Sequence, residues 1–137
     1  MGDSRIAAQM YTLREFLKTP RDIARTLAKV KAIGYGAIQF SGFGPCEPAR
    51  IAGMLKGEGL ACISSHASFK ELEDDLDEFI ANHHLWDCKH TAIAYMPKEF
   101  HSEKGIREFA AKVNKIGKTL AKAGIVLAYH NHNFEFA

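Results

Sequence analysis

The chain has 137 residues, 47% hydrophobic and 25% charged, a balance that fits one globular domain spanning 1–137 and excludes disordered and fibrous classes. Lys and Arg total 18 against 16 Asp and Glu, a net charge of +2 without any basic block, so no nucleic-acid partner is expected. Cys46, Cys62 and Cys88 are odd in number and form no C-x-x-C pair, which argues for reduced thiols and against a disulfide framework or zinc ribbon. Met1-Gly2-Asp3-Ser4 leads straight into a strand-like run without a signal-peptide layout. No apolar stretch approaches the roughly 18 residues of a membrane helix, so a cytoplasmic protein with no membrane partner is expected.

Arg5 to Thr12 reads as the first strand, with Ile6, Ala8 and Met10 on one parity and Ala7, Gln9 and Tyr11 on the other. Thr19-Pro20 opens a helix, Ile23, Leu27 and Val30 form its stripe, and Gly34 stops it. Ala37 to Ser41 is a second strand, left through Gly42-Phe43-Gly44-Pro45. Pro48 starts a helix with Ile51, Met54 and Leu55 inward, ending around Gly57-Glu58-Gly59. Leu60 to Ser64 is a third strand with Ser65-His66-Ala67 as its exit. Ser68 and Glu71 form a capping box for a helix carrying Leu72, Leu76, Phe79 and Ile80. His90 to Tyr95 is a fourth strand, left through Met96-Pro97. Ser102-Glu103 precedes a long helix with Ile106, Phe109, Val113, Ile116 and Leu120 inward, closed by Gly124. Ile125 to Tyr129 is a fifth strand, running out through His130-Asn131-His132-Asn133-Phe134-Glu135-Phe136.

Five strands and four helices alternate, each strand-to-strand interval close to the ~30 residues of a βαβ unit. Alternation predicts an α/β protein with a parallel sheet. It does not choose between an open doubly-wound sheet and part of a (β/α)₈ barrel. In both, ligands bind beyond the carboxyl ends of the strands. Those ends carry Gln9, Tyr11 and Thr12, then Gln39 and Ser41, then Ser64, Ser65 and His66, then Tyr95, then the His130 run. Buried polar groups cost stability unless partnered, so such a ring favours a polar ligand or metal over turn and capping roles.

Two imidazoles and a carboxylate within six residues supply the ligand types of a Zn, Mn, Co or Fe site. His130 and His132 share a face of an extended strand, whereas Glu135 has the opposite parity and joins them only if the chain turns. Taken alone, the run reads equally well as a solvated strand exit. A lone His66 at a strand exit is more often structural, and its place on the same edge evens the balance. His83, His84, His90 and His101 read as surface or packing residues. Glu47 stands where a dinucleotide fingerprint needs its third glycine, and no P-loop, H-E-x-x-H or G-x-S-x-G occurs. The acids between Glu71 and Glu78 suit a helix N-terminus and a solvated face, and Phe79, Trp86 and Phe109 read as core.

The opening Gln9-Met10-Tyr11-Thr12-Leu13-Arg14, the exit Ser64-Ser65-His66-Ala67 and the segment Tyr129-His130-Asn131-His132-Asn133-Phe134-Glu135-Phe136 resemble the sugar phosphate isomerase/epimerase family, the xylose-isomerase-like TIM barrels. The last segment is the most specific. The resemblance implies a TIM-type (β/α) barrel with a divalent metal (Mn, Co, Mg or Zn) at its carboxyl face, acting on a small sugar, sugar phosphate or polyol by proton transfer next to a carbonyl. It implies Glu135 as a metal ligand, His66 and His132 as catalytic groups, and Gln9, Tyr11 and His130 against the substrate. Such barrels have eight βα units and about 250 residues. The five strands here therefore suggest an incomplete barrel, an amino-terminal part that is inactive alone. A dehydratase of the same fold and a self-associating, homo-oligomeric half-barrel are the alternatives. Endonuclease IV, a distant relative, needs a histidine at the fourth strand's exit, where this chain has Ala94-Tyr95-Met96-Pro97.

Overall fold

The computed structural model describes residues 6–136, in which five parallel strands alternate with helices. The expected leader-free start at Met1-Gly2-Asp3-Ser4, and Arg5 at the head of the first strand, lie outside those residues. The strands are β1 (Ala7–Gln9), β2 (Ala37–Phe40), β3 (Ala61–Ala67), β4 (His90–Ile93) and β5 (Val126–Tyr129). The helices are α1 (Pro20–Ile33), α2 (Pro48–Glu58), α3 (Phe69–Asp74), α4 (Leu76–Leu85) and α5 (Glu103–Lys122).

Local chemistry sets most boundaries. The Thr19 side chain accepts from the Asp22 N–H at 3.2 Å, Pro20 occupies the first helical position, and Gly34 takes a left-handed φ of 114° to end α1. Ser68 caps α3 and Ser102 caps α5 in the same way, accepting from Glu71 and Gly105.

Four expectations need correction. β1 stops at Gln9 because Met10–Phe16 wind into a 3-10 helix, in which the Thr12 hydroxyl donates to the Gln9 carbonyl at 2.7 Å. β3 runs on to Ala67, so Ser65 and His66 lie inside the strand rather than beyond it. The third helix is two helices: Asp75 leaves helical geometry at φ −151° and its carboxylate caps α4 through the Glu78 N–H at 2.9 Å. The acidic run thus serves two helix starts, a second cap hidden among like residues. Ile106 is half exposed rather than inward, because it sits in the first turn of α5 above an open groove beside β5.

Strand order is β1-β2-β3-β4-β5, every pair parallel. Right-handed crossovers that always step in one direction place every helix on the same face, and α1 meets α2 as α2 meets α4. An open doubly-wound sheet needs a reversal of order, and there is none. The architecture is a partial TIM barrel. Under the helices, Ile23, Leu27 and Val30 of α1 pack with Ile38, Ile51 and Leu55, while Phe69, Leu72, Phe79, Ile93, Phe109 and Leu120 form a second cluster. Each fully buried Leu or Ile contributes about 1.5–3 kcal/mol against exposure. The opposite, concave face carries Gln39, Ser64, His66, Ala92, Val126 and Ala128, all at least partly exposed.

A β-bulge in β3 sets its phase. Ile38 pairs with Cys62 but Gln39 pairs with Ser64, which leaves Ile63 unopposed. Strict alternation from buried Cys62 would send Ser64 and His66 under the helices. The extra residue reverses the parity, so Ser65 and Ala67 are buried while His66 reaches the concave side.

Ser65 then meets α4 in the interior. Its hydroxyl lies 2.7 Å from His83 Nε2 and 2.7 Å from Thr91 Oγ1, and His83 Nδ1–H donates to the Phe79 carbonyl at 2.9 Å. All three residues are buried. With Nδ1 donating, a neutral His83 accepts the Ser65 O–H at Nε2, and Thr91 donates to Ser65. Burial holds the His83 pKa below its ordinary 6.5. The unfolded chain therefore binds this proton first, so His83 favours the fold fully above about pH 6.5 and loses that contribution as pH falls through the lowered value. Two outcomes follow in urea denaturation. Ser65→Ala costs about 1–3 kcal/mol by stripping partners from two buried groups. His83→Gln flattens the acid-side fall in stability seen with the parent chain.

Candidate functional site

The strand ends meet around a cavity of about 320 Å³ whose wall includes Gln9, Tyr11, Ser41, Gly42, His66, Tyr95, His130 and His132. Each comes from a carboxyl end or the residues just beyond: β1 for Gln9 and Tyr11, β2 for Ser41, β3 for His66, β4 for Tyr95, β5 for the last two. Gln9, His66 and His130 are thus brought together by parallel alignment alone.

Tyr11 is fixed by its neighbours. Its N–H donates to Ser41 Oγ at 3.2 Å, Arg14 donates to its carbonyl at 3.1 Å, and the guanidinium lies 4.6 Å from its ring centre. Gly42, at φ 73°, passes so close that a Cβ there would stand 3.0 Å from Arg14 Cβ and 3.1 Å from the Tyr11 ring. Half of Tyr11 remains exposed at the cavity mouth.

The histidines form the polar centre. His130 Nδ1 and His66 Nε2 are 3.2 Å apart, so one imidazole donates and the other accepts. The rings of His130 and His132, in the stretch just after β5, stack at 4.9 Å with 12° between planes. Burial lowers the pKa of His66, and the neighbouring His130 and His132 lower it further. A neutral imidazole beside a second imidazole can take a proton and pass it on.

Glu135 lies elsewhere. The chain does turn after β5, in a 3-10 helix over Asn133–Phe136, and the carboxylate comes back to accept from the Tyr129 hydroxyl and the His132 N–H. It faces the adjoining groove of about 590 Å³ between β5 and α5, with Met96, His101 and Phe109, rather than the histidine cavity. Burial works to raise the Glu135 pKa, but those two hydrogen bonds outweigh it and hold the group below the usual carboxylate range. Tyr129 is pushed up to about 12, first by burial and then by its bond to Glu135.

Among the described residues, no group of three His, Cys, Asp or Glu side chains could hold a metal ion. Both Glu135 oxygens already accept hydrogen bonds. These residues by themselves do not fit a divalent metal.

Ser41, Gly42 and Tyr95 line the cavity although no motif singles them out; their signal is position directly after β2 and β4. The remaining histidines pack or face solvent. His83 is interior, His84 bonds the Ala123 carbonyl at 2.8 Å, His101 bonds the Met96 carbonyl at 3.0 Å, and His90 is exposed at the start of β4.

No protein-family model matches the chain, and no curated protein does. Solved structures do. A sugar phosphate isomerase/epimerase from Parabacteroides distasonis is 25% identical with a TM-score of 0.78, over 96% of this chain and 56% of its own. An AP endonuclease, family 2, from Brucella melitensis is 18% identical with a TM-score of 0.67, over 90% and 53%. The probable 3-DHS dehydratase AsbF from Bacillus anthracis is 13% identical with a TM-score of 0.64, over 96% and 53%. The chain spans about half the length of the structures it matches, and what it shares with them is the barrel fold.

The electrostatics predict an NMR signature. The His66 imidazole should titrate below the ordinary 6.5, and His130→Ala should raise its midpoint without restoring the ordinary value, because burial is the larger cause. An unshifted His66, or one indifferent to His130→Ala, would contradict the arrangement.

Proposed function

We propose that the chain forms the amino-terminal, proton-handling part of a metal-dependent isomerase or epimerase for a small sugar, sugar phosphate or polyol. The observation that carries this reading is the convergence of His66, His130 and His132 with Gln9 and Tyr11 at the carboxyl edge of a TIM-type sheet.

His66, kept neutral by burial, is suited to take a proton from a substrate carbon beside a carbonyl. His130 can receive it across 3.2 Å, and His132, stacked alongside, keeps that ring in plane. Gln9 and Tyr11 offer amide and phenol groups to sugar hydroxyls. Return of the proton to the neighbouring carbon gives an isomer, and return to the other face of the same carbon gives an epimer. Loss of a neighbouring hydroxyl would instead give dehydration, the reaction named for the Bacillus anthracis neighbour. Endonuclease chemistry is less well supported, because the β4 exit offers Ala94 and Tyr95 to the cavity and no histidine.

The metal dependence comes from the resemblance alone: among the described residues no donor set fits a divalent cation, and Glu135 faces the neighbouring groove with both oxygens accepting hydrogen bonds, so no step here is assigned to a cation. No helix among the described residues is long and apolar enough to cross a membrane. The homo-oligomeric reading rests on exposed apolar groups near both sheet edges, with Ile6 63% and Val126 57% exposed. Two copies would bring ten strands where a TIM barrel closes with eight, which favours completion by other βα units.

The test compares the 137-residue chain with a complete barrel that continues it through eight strands, assayed on aldose–ketose and epimer pairs with Mn²⁺ or Co²⁺. The expected result is turnover by the complete barrel only, cut about 10²–10⁴-fold by His66→Asn. Equal turnover by the chain alone refutes the half-barrel reading. Inactivity of both, with a molecular mass that doubles with concentration, favours the assembly module.

A further inference from the structure

We propose that Ser41 is a specificity-determining residue whose hydroxyl donates to one oxygen of a sugar or polyol held against His66. The ligand class rests on the isomerase or epimerase reading above; the donor and its placement rest on the geometry of the β2 exit.

Ser41 follows β2 directly and has the parity of Gln39, so its side chain lies on the concave side and lines the histidine cavity. Phe40 pairs with Ser65, which sets Ser41 level with His66 on the neighbouring strand, about 4.8 Å away across the sheet. One small molecule can therefore touch both side chains. Gln9 and Tyr11 stand on the other flank, at and just beyond the end of β1.

The hydroxyl is buried and only half used. Ser41 is 5% exposed. Its Oγ accepts the Tyr11 N–H at 3.2 Å, and among the described residues no acceptor takes its own proton. A serine hydroxyl carries one donor beside its lone pairs, and a donor shut away from water without a partner is costly. With Tyr11 on a lone pair, the proton is left for a ligand oxygen in the cavity.

The frame around this hydroxyl is rigid. Upstream, the Phe40 ring stacks on Phe43 at 4.2 Å and on Trp86 at 4.5 Å, and Trp86 Nε1–H donates to the Pro48 carbonyl at 3.0 Å. Downstream, Gly42 holds its left-handed turn against Tyr11 and Arg14, and the Gly44 N–H donates to the Leu17 carbonyl at 2.8 Å. A Cβ on Gly44 would stand 2.4 Å from the Lys18 carbonyl oxygen, so the loop lies directly on the start of the next segment. A donor fixed from both sides discriminates. A sugar that offers an oxygen at that point is favoured, and one that lacks it leaves the hydroxyl unpaired.

The experiment titrates the full chain, without metal, with D-fructose and with each of its monodeoxy analogues, following amide NMR shifts. The expected result is a saturable shift at Tyr11, Ser41 and Gly42, with one analogue binding about 2–10-fold more weakly than D-fructose, the weight of one hydrogen bond. Ser41→Ala should bind D-fructose more weakly by that factor and should no longer distinguish that analogue. Ser41→Thr, which keeps the hydroxyl, should still distinguish it. The amide spectrum of each variant reports its fold, and the analogue series on the unmutated chain stands without any variant. Equal affinity for every analogue, or no saturable shift around Ser41 up to the solubility limit of the sugar, would overturn the proposal. So would a Ser41→Ala loss that is the same for all the sugars, which leaves Ser41 as a support for Tyr11 alone. The readout is binding rather than turnover. An inactive complete barrel would therefore end the catalytic reading without touching this one, and an active barrel with equal affinities would do the opposite.

Discussion

One topological constraint governs the molecule. Five parallel strands join in strict sequence order, each by a right-handed helical crossover, so all helices lie on one face and all strand ends on one edge. The helix-covered face contains the apolar cores, and the uncovered concave face contains the polar residues. Residues far apart in sequence, such as Gln9, His66 and His130, become neighbours without any contact between them having to hold the sheet together. Stability and chemistry are thereby separated: helices and strands secure the frame, and strand ends are free to vary.

The phase within each strand is the second control. β3 carries both an interior hydrogen-bond node at Ser65 and a cavity histidine at His66, adjacent residues with opposite surroundings. The bulge at Ile63 makes this arrangement compatible with a buried Cys62 at the strand's start. β3 therefore links two features along its length: the Ser65–His83–Thr91 network in the middle and the imidazole pair at its end.

Much of this was readable from residue order. Thr19-Pro20 with Gly34, Ser68 with Glu71, and Ser102 before an apolar stripe are local signals, and each acts through bonds within a few residues. The alternation of strands and helices pointed to a parallel sheet. What escaped depends on longer-range geometry. Asp75 is a cap disguised inside an acidic run. The bulge in β3 depends on its pairing with β2, which no single-strand pattern encodes. Glu135 turns with its 3-10 helix to Tyr129 and the His132 backbone, and the direction of that turn decides which groove receives the carboxylate. The choice of a singly wound barrel over a doubly wound sheet required the strand order itself.

The shared site depends on the approach of the β3 and β5 ends across the intervening β4. The direct measurement is a through-hydrogen-bond ¹⁵N–¹⁵N coupling between His66 Nε2 and His130 Nδ1, supported by nuclear Overhauser contacts between the two rings. At 3.2 Å, a resolved coupling and strong ring-to-ring contacts are expected. Absence of both, with His66 and His130 each contacting only its own strand's neighbours, would contradict the shared site and the parallel order that builds it.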